Sequence, residues 1–154
     1  MLFQRINKSD PEKVFIIGYN SSADAWSNGY AVRWDYTSDV NGVGMEKPAA
    51  PGACGVGRAG IAGVAAETIA SSGYGLIQVW GYHSAVRVKS ATGASTTTNA
   101  VNKGTALVGC TTSYYALENP VATGTQANVY CKGFALAAQL VNTTTATACF
   151  LLCL

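Results

Sequence analysis

Charge is what this sequence has least of. Only 12% of its 154 residues are Asp, Glu, Lys or Arg, against about 25% in an ordinary soluble domain. The formal net charge is +2, too small to draw the chain onto nucleic acid or an anionic membrane by itself. The charges are also crowded to one end. Eleven of them (Arg5, Lys8, Asp10, Glu12, Lys13, Asp24, Arg33, Asp35, Asp39, Glu46 and Lys47) precede Pro48, and none lies between Gly133 and Leu154. A solitary soluble domain keeps a mixed, charged surface. The shortage therefore predicts a surface covered by partners or further copies, with a neutral, solvated Thr/Ser/Gly surface (Thr97 to Asn99, Thr143 to Thr145) as the plainer reading.

Other scarcities narrow the chemistry. There is one histidine, His83, so a Ser–His–Asp or Cys–His catalytic unit has to use it. It sits in Gly81-Tyr82-His83-Ser84, a turn-like setting, and no Gly-x-Ser-x-Gly segment presents a nucleophile. The carboxylates Asp24, Asp35, Asp39, Glu46, Glu67 and Glu118 have no spacing that selects a catalytic pair. Asp39-Val40-Asn41-Gly42 has too few ligands for a calcium loop and reads as a turn. Five cysteines (Cys54, Cys110, Cys131, Cys149 and Cys153) contain no pair with the two-residue gap of a zinc or redox motif. Cys149 and Cys153 are four apart among Phe150, Leu151, Leu152 and Leu154, which places them on one face of a core strand as buried thiols. Gly55-Val56-Gly57-Arg58-Ala59-Gly60 matches a dinucleotide fingerprint in letters only, because the Pro-rich segment before it cannot be the central strand such a site needs. No catalytic residue, metal or cofactor is therefore expected.

Long apolar runs are missing as well. Residues 134–154 are interrupted by Gln139, Asn142 and Thr143 to Thr145, so no spanning helix is predicted. Residues 1–13 lack the apolar core of a signal peptide. With that, and with thiols that suit a reducing compartment, synthesis in a cytoplasm is expected. The glycosylation sequons at Asn7, Asn20 and Asn142 are then accidental.

What the sequence does have is apolar alternation. Val14 to Ile17, Tyr30 to Tyr36, Leu76 to Trp80, Ala85 to Lys89, Thr105 to Val108 and Thr147 to Leu152 read as strands, set every dozen or so residues between Gly, Ser, Thr and Asn. The fold class is all-β: one β-sandwich or barrel over residues 11–154, an N-terminal arm at 1–10, and at most one short helix, at residues 61–70. Residues 37–58 and 90–102 read as loops. Gly-x-Ala-aliphatic recurs at Gly29, Gly104 and Gly133, as a turn that launches a strand. Trp34 and Trp80 read as core. Trp26, in a turn, and the nearby Tyr30 are candidates for partner contact, as are the apolar arm residues Leu2, Phe3 and Ile6.

Residues 56–88, above all 60–81, carry a resemblance. Val64-Ala65-Ala66 leads through Gly73 into Tyr74-Gly75-Leu76-Ile77-Gln78 and then Gly81, and this resembles the small capsid decoration (cement) proteins of tailed bacteriophages. Residues 10–15, 84–88, 104–108, 133–138 and 146–152 suit the flanking strands of that pattern, whereas residues 91–100 and the five cysteines have no place in it. The resemblance implies a non-enzymatic structural virion protein on the exterior of an icosahedral head. Its partners would be the major capsid protein and further copies of itself, as a homo-oligomer such as a trimer, with no nucleic acid, membrane or cofactor. A carbohydrate or host-surface module using Trp26 and Tyr30 is the alternative.

Overall fold

The computed structural model describes residues 12–39, 42–48, 60–89, 101–109, 117–118, 132–137 and 145–153. Among the described residues nine strands run in chain order: β1 (Val14–Asn20), β2 (Ala31–Trp34), β3 (Gly44–Glu46), β4 (Ile61–Ala65), β5 (Tyr74–Lys89), β6 (Ala106–Gly109), β7 (Leu117–Glu118), β8 (Gly133–Ala135) and β9 (Thr145–Leu152). The fold is all-β, as the alternation predicts, and all nine belong to one mixed sheet. That sheet closes on itself twice. β1 pairs with β3, β3 with β2, β2 with β4, β4 with β5, and β5 returns to β1. β5 also pairs with β7, β7 with β6, β6 with β8, β8 with β9, and β9 returns to β5. Two small hydrogen-bonded circuits therefore share one strand of 16 residues. Closure leaves most strands with two neighbours and few open edges.

The exchange between circuits happens at Trp80, which pairs with Val14 of β1 and with Leu152 of β9. Before it, β5 belongs to the first circuit; after it, to the second. The two strand segments read from the sequence at residues 76–80 and 85–89 are thus one strand, bent at Gly81 (φ +94°).

Two cores follow from this plan. Trp26, Val32, Met45, Ala62, Ala65, Ile69 and Ile77 fill the first circuit. Val86, Val88, Val101, Leu107, Ala135, Cys149 and Leu151 form the second core, joined by Ala31, Ile61 and Val64 from β2 and β4. β4 is therefore buried along its whole length. The sequence allows at most one short helix, at residues 61–70; residues 61–65 are instead this strand. A strand covered on both faces loses its polar alternation and becomes a continuous apolar run, which in an Ala-rich segment imitates a helix. Among the described residues there is no helix. The long loop expected at residues 37–58 is likewise corrected at Gly44–Glu46, a strand too short to show a period.

The recurring glycines divide by role. Gly29 (φ +89°) and Gly104 (φ +81°) are left-handed turn residues ahead of β2 and β6, as expected. Gly133 lies inside β8 instead. A Cβ there would stand 2.7 Å from the Phe150 carbonyl oxygen, so glycine at this position permits close strand approach and not a turn.

Candidate interaction surface

β1 and the first half of β5 form an antiparallel ladder with one face toward the first core. Ile17 pairs with Leu76, Tyr19 with Tyr74, and Phe15 with Gln78. Because side chains alternate along a strand, Phe15, Ile17, Tyr19, Tyr74 and Leu76 all share the other face. That face is not covered by the chain's described residues: Ile17 is 61% exposed, Tyr74 68%, and Leu76 and Phe15 above 40%. The Tyr19 and Tyr74 rings are 5.0 Å apart at 47°. From Tyr19 to Phe15 the strip is about 13 Å long at the usual rise of a strand. Contiguous apolar side chains held outward in register are the feature that marks an interaction surface; single exposed ones carry no such meaning.

The strip runs into a pocket of about 160 Å³, lined by Lys13, Phe15, Asn28, Gln78, His83 and Ser84. Phe15 belongs to both. Gln78 is buried and its amide Nε2 donates to the Trp80 and Tyr82 carbonyls at 3.0 Å each. Its hydrogens are thus spent on holding the β5 bend. Lys13 Nζ lies 5.9 Å from the centroid of the Tyr82 ring and makes no ion pair among the described residues.

His83, expected in a turn, sits within β5 and is 5% exposed. Its Nδ1 accepts the Ala85 N–H at 3.1 Å, which fixes the neutral tautomer with its proton on Nε2. Burial pushes the imidazole below its ordinary value of 6.5; the Ala65 carbonyl opposes this and the Lys13 charge adds to it. The folded protein therefore resists protonation that the unfolded chain accepts. Stability is full above the unfolded value and is lost as pH falls toward the depressed folded value. Between about pH 7.5 and about pH 5.5 the urea midpoint should drop, and His83→Gln should flatten that dependence. An unchanged slope in the variant would assign the acid sensitivity to other groups.

The other residues singled out in the sequence fall elsewhere. Trp26, expected as an exposed contact, is 0% exposed and belongs to the first core. Its indole Nε1 donates to Ser22 Oγ at 2.9 Å, and Ser22 Oγ donates to Asn20 Oδ1 at 2.6 Å. The Asn20 Nδ2 group donates to the carbonyls of Asp24, Ile69 and Ala70. The sequon at Asn20 is thus a buried structural amide. The correction at Trp26 has a plain physical reason: its backbone bridges to Ile69, and a serine four residues earlier accepts the indole N–H so that the ring can be buried. Tyr30 packs beside this core, with the Arg87 guanidinium 5.3 Å over its ring. Trp34, expected in the core, is 41% exposed, and Trp80 is half-buried with its ring edge-on to Phe150. Leu2, Phe3 and Ile6, the dinucleotide-like segment up to Ala59, and Cys54, Cys110 and Cys131 lie outside the described residues.

Several carboxylates hold loops. Asp35 accepts from Ser21 Oγ and from the Thr37 and Ser38 N–H groups, and the Ser38 bond leads in holding its carboxyl below the ordinary carboxylate value. Asp39 accepts the Gly44 N–H, Glu67 accepts the Leu76 N–H, and Glu46 pairs with Arg33 at 2.7 Å. Among the described residues no group of three His, Cys, Asp or Glu side chains could hold a metal. Cys149 is buried in the second core, where burial pushes its thiol up to about 12. Cys153 packs against the same core, its Sγ 3.4 Å from the Lys132 carbonyl oxygen.

The exposed strip is not legible in the sequence. Val14-Phe15-Ile16-Ile17 is apolar at every position, so it does not say which side chains face out. Only its register with Tyr74 and Leu76 separates the two faces. Comparison of the chain with protein-family models, curated proteins and solved structures gives no match.

Proposed function

We propose that the chain is a structural virion protein that binds the outer surface of an icosahedral phage head as a decoration protein, with the major capsid protein and further copies of itself as partners. The observation that carries this reading is the exposed Phe15–Ile17–Leu76–Tyr74 strip on a rigid ladder. Such a strip offers shape and apolar area at little ordering cost, because its backbone is already held in a closed sheet. The low charge and the resemblance of residues 60–81 support the same reading. Repetition over a capsid lattice multiplies modest contacts into stable attachment.

The test is co-sedimentation with heads of the encoding phage assembled without a decoration protein. Wild-type protein should bind at micromolar concentration or below. Ile17→Ser with Leu76→Ser should weaken binding by about 30-fold if each contributes as an ordinary interface anchor. Both side chains are exposed, so the double variant should retain the wild-type circular dichroism spectrum. Absence of wild-type binding at micromolar concentration sinks the proposal.

A further inference from the structure

We infer that the pocket at the end of the strip is a socket for one carboxylate side chain of a partner protein, whose extended segment lies along the strip. This rests on the decoration reading only for the identity of the partner, not for the chemistry. Three groups at the pocket remain able to donate. Lys13 is exposed and has no ion pair among the described residues. Asn28 and Ser84 are exposed beside it. Two further donor or acceptor atoms there are occupied within the chain: Gln78 Nε2 by two carbonyls, and His83 Nδ1 by the Ala85 N–H. Among the described residues no Asp or Glu lines the pocket. A cation with neutral donors and no acid is matched by a carboxylate, which accepts charge-assisted hydrogen bonds from all of them.

The geometry selects a peptide over a free anion. Phe15 is both a pocket wall and the first member of the strip, and the pairs Phe15–Gln78, Ile17–Leu76 and Tyr19–Tyr74 repeat every two residues. An extended partner segment has the same two-residue repeat. An acidic side chain in the socket therefore places the side chains two, four and six residues away over Phe15, Ile17 and Tyr19. The partner chemistry is one acid followed or preceded by apolar residues at alternate positions. A free phosphate would fill the socket and leave the strip idle.

The experiment is a titration of isotope-labelled protein with end-blocked heptapeptides, read by amide chemical shifts. Each peptide alternates apolar and hydroxyl residues and carries one terminal Asp; both chain directions are used, each with an Asn counterpart. Shifts should centre on Lys13, Phe15, Ile17, Leu76 and Ser84. At low salt, one direction of the Asp peptide should bind about fivefold more tightly than its Asn counterpart, the scale of an exposed ion pair. Lys13→Gln should abolish that difference, and Ser84→Ala should reduce it. Equal affinity of Asp and Asn peptides, shifts centred elsewhere, no shift at millimolar peptide, or full competition by equimolar inorganic phosphate would each overturn the inference. Head binding by the same protein, measured in parallel, separates the two ideas: binding to heads without Asp preference removes the socket alone, and Asp preference without head binding removes the decoration reading alone.

Discussion

Trp26→Ala should lower the unfolding free energy by about 3–5 kcal/mol, the cost of emptying a large aromatic site in a packed core. Trp26 is 0% exposed, and its backbone exchanges both hydrogen bonds with Ile69 at 2.8 and 2.9 Å. Its indole packs with Val32, Met45, Ala62, Ala65, Ile69 and Ile77. Its Nε1–H also ends the chain of bonds through Ser22 to Asn20. Alanine removes volume and a hydrogen-bond donor together. Trp26→Phe keeps most of the volume and loses the donor, so it should cost about 1–2 kcal/mol more than a simple volume change would suggest. Urea unfolding followed by far-ultraviolet circular dichroism separates the two variants, since the remaining tryptophans Trp34 and Trp80 complicate fluorescence. An Ala variant within about 1 kcal/mol of wild type would mean that the indole is not a core group.

That result bears on how much the sequence could disclose. The class of fold was legible, because short apolar runs between Gly, Ser and Thr have few alternatives to strands. Cys149 was legible as a buried thiol, since it sits among Phe150, Leu151 and Leu152, where a cysteine behaves as a small hydrophobe. The two tryptophan assignments exchanged places for a physical reason. Trp34 sits in a perfect alternation, yet it lies at the end of a four-residue strand where coverage gives out. Trp26 reads as a turn residue, yet its backbone bridges to Ile69 and its ring joins the first core. Alternation reports which residues share a face; it does not report whether that face is covered. The same limit hid the strip and turned β4 into an apparent helix. Only the closure of the sheet, which brings β1 beside β5 and places β4 between two cores, decides those cases. Closure depends on pairings between residues as distant as Val14 and Trp80.

The pairing of two circuits on one strand predicts the second large effect. Gly81 has φ +94° in the middle of β5, and a Cβ there would stand 2.1 Å from the Glu12 carbonyl oxygen, with Lys13 Cα also at 3.2 Å. Both neighbours are backbone, so no side-chain rotation relieves the clash. Gly104→Ala supplies the control, because φ there is +81° and nothing lies within 4 Å of the added Cβ. Gly104→Ala should therefore cost only the left-handed strain, about 1–2 kcal/mol. Gly81→Ala should add steric displacement to the same strain and cost about 3 kcal/mol or more. The displacement has a direction. Moving residues 12–13 away from β5 pulls β1 from the ladder at the point where β9 takes over, and it shifts Lys13 relative to Phe15. Gly81→Ala should therefore lower the chemical denaturation midpoint and also weaken any partner held by the strip, whereas Gly104→Ala should affect the midpoint alone. Equal midpoints for the two variants would show that the bend at Gly81 has room for a side chain, and that β1 is not held against the shared strand as tightly as the short backbone approach implies.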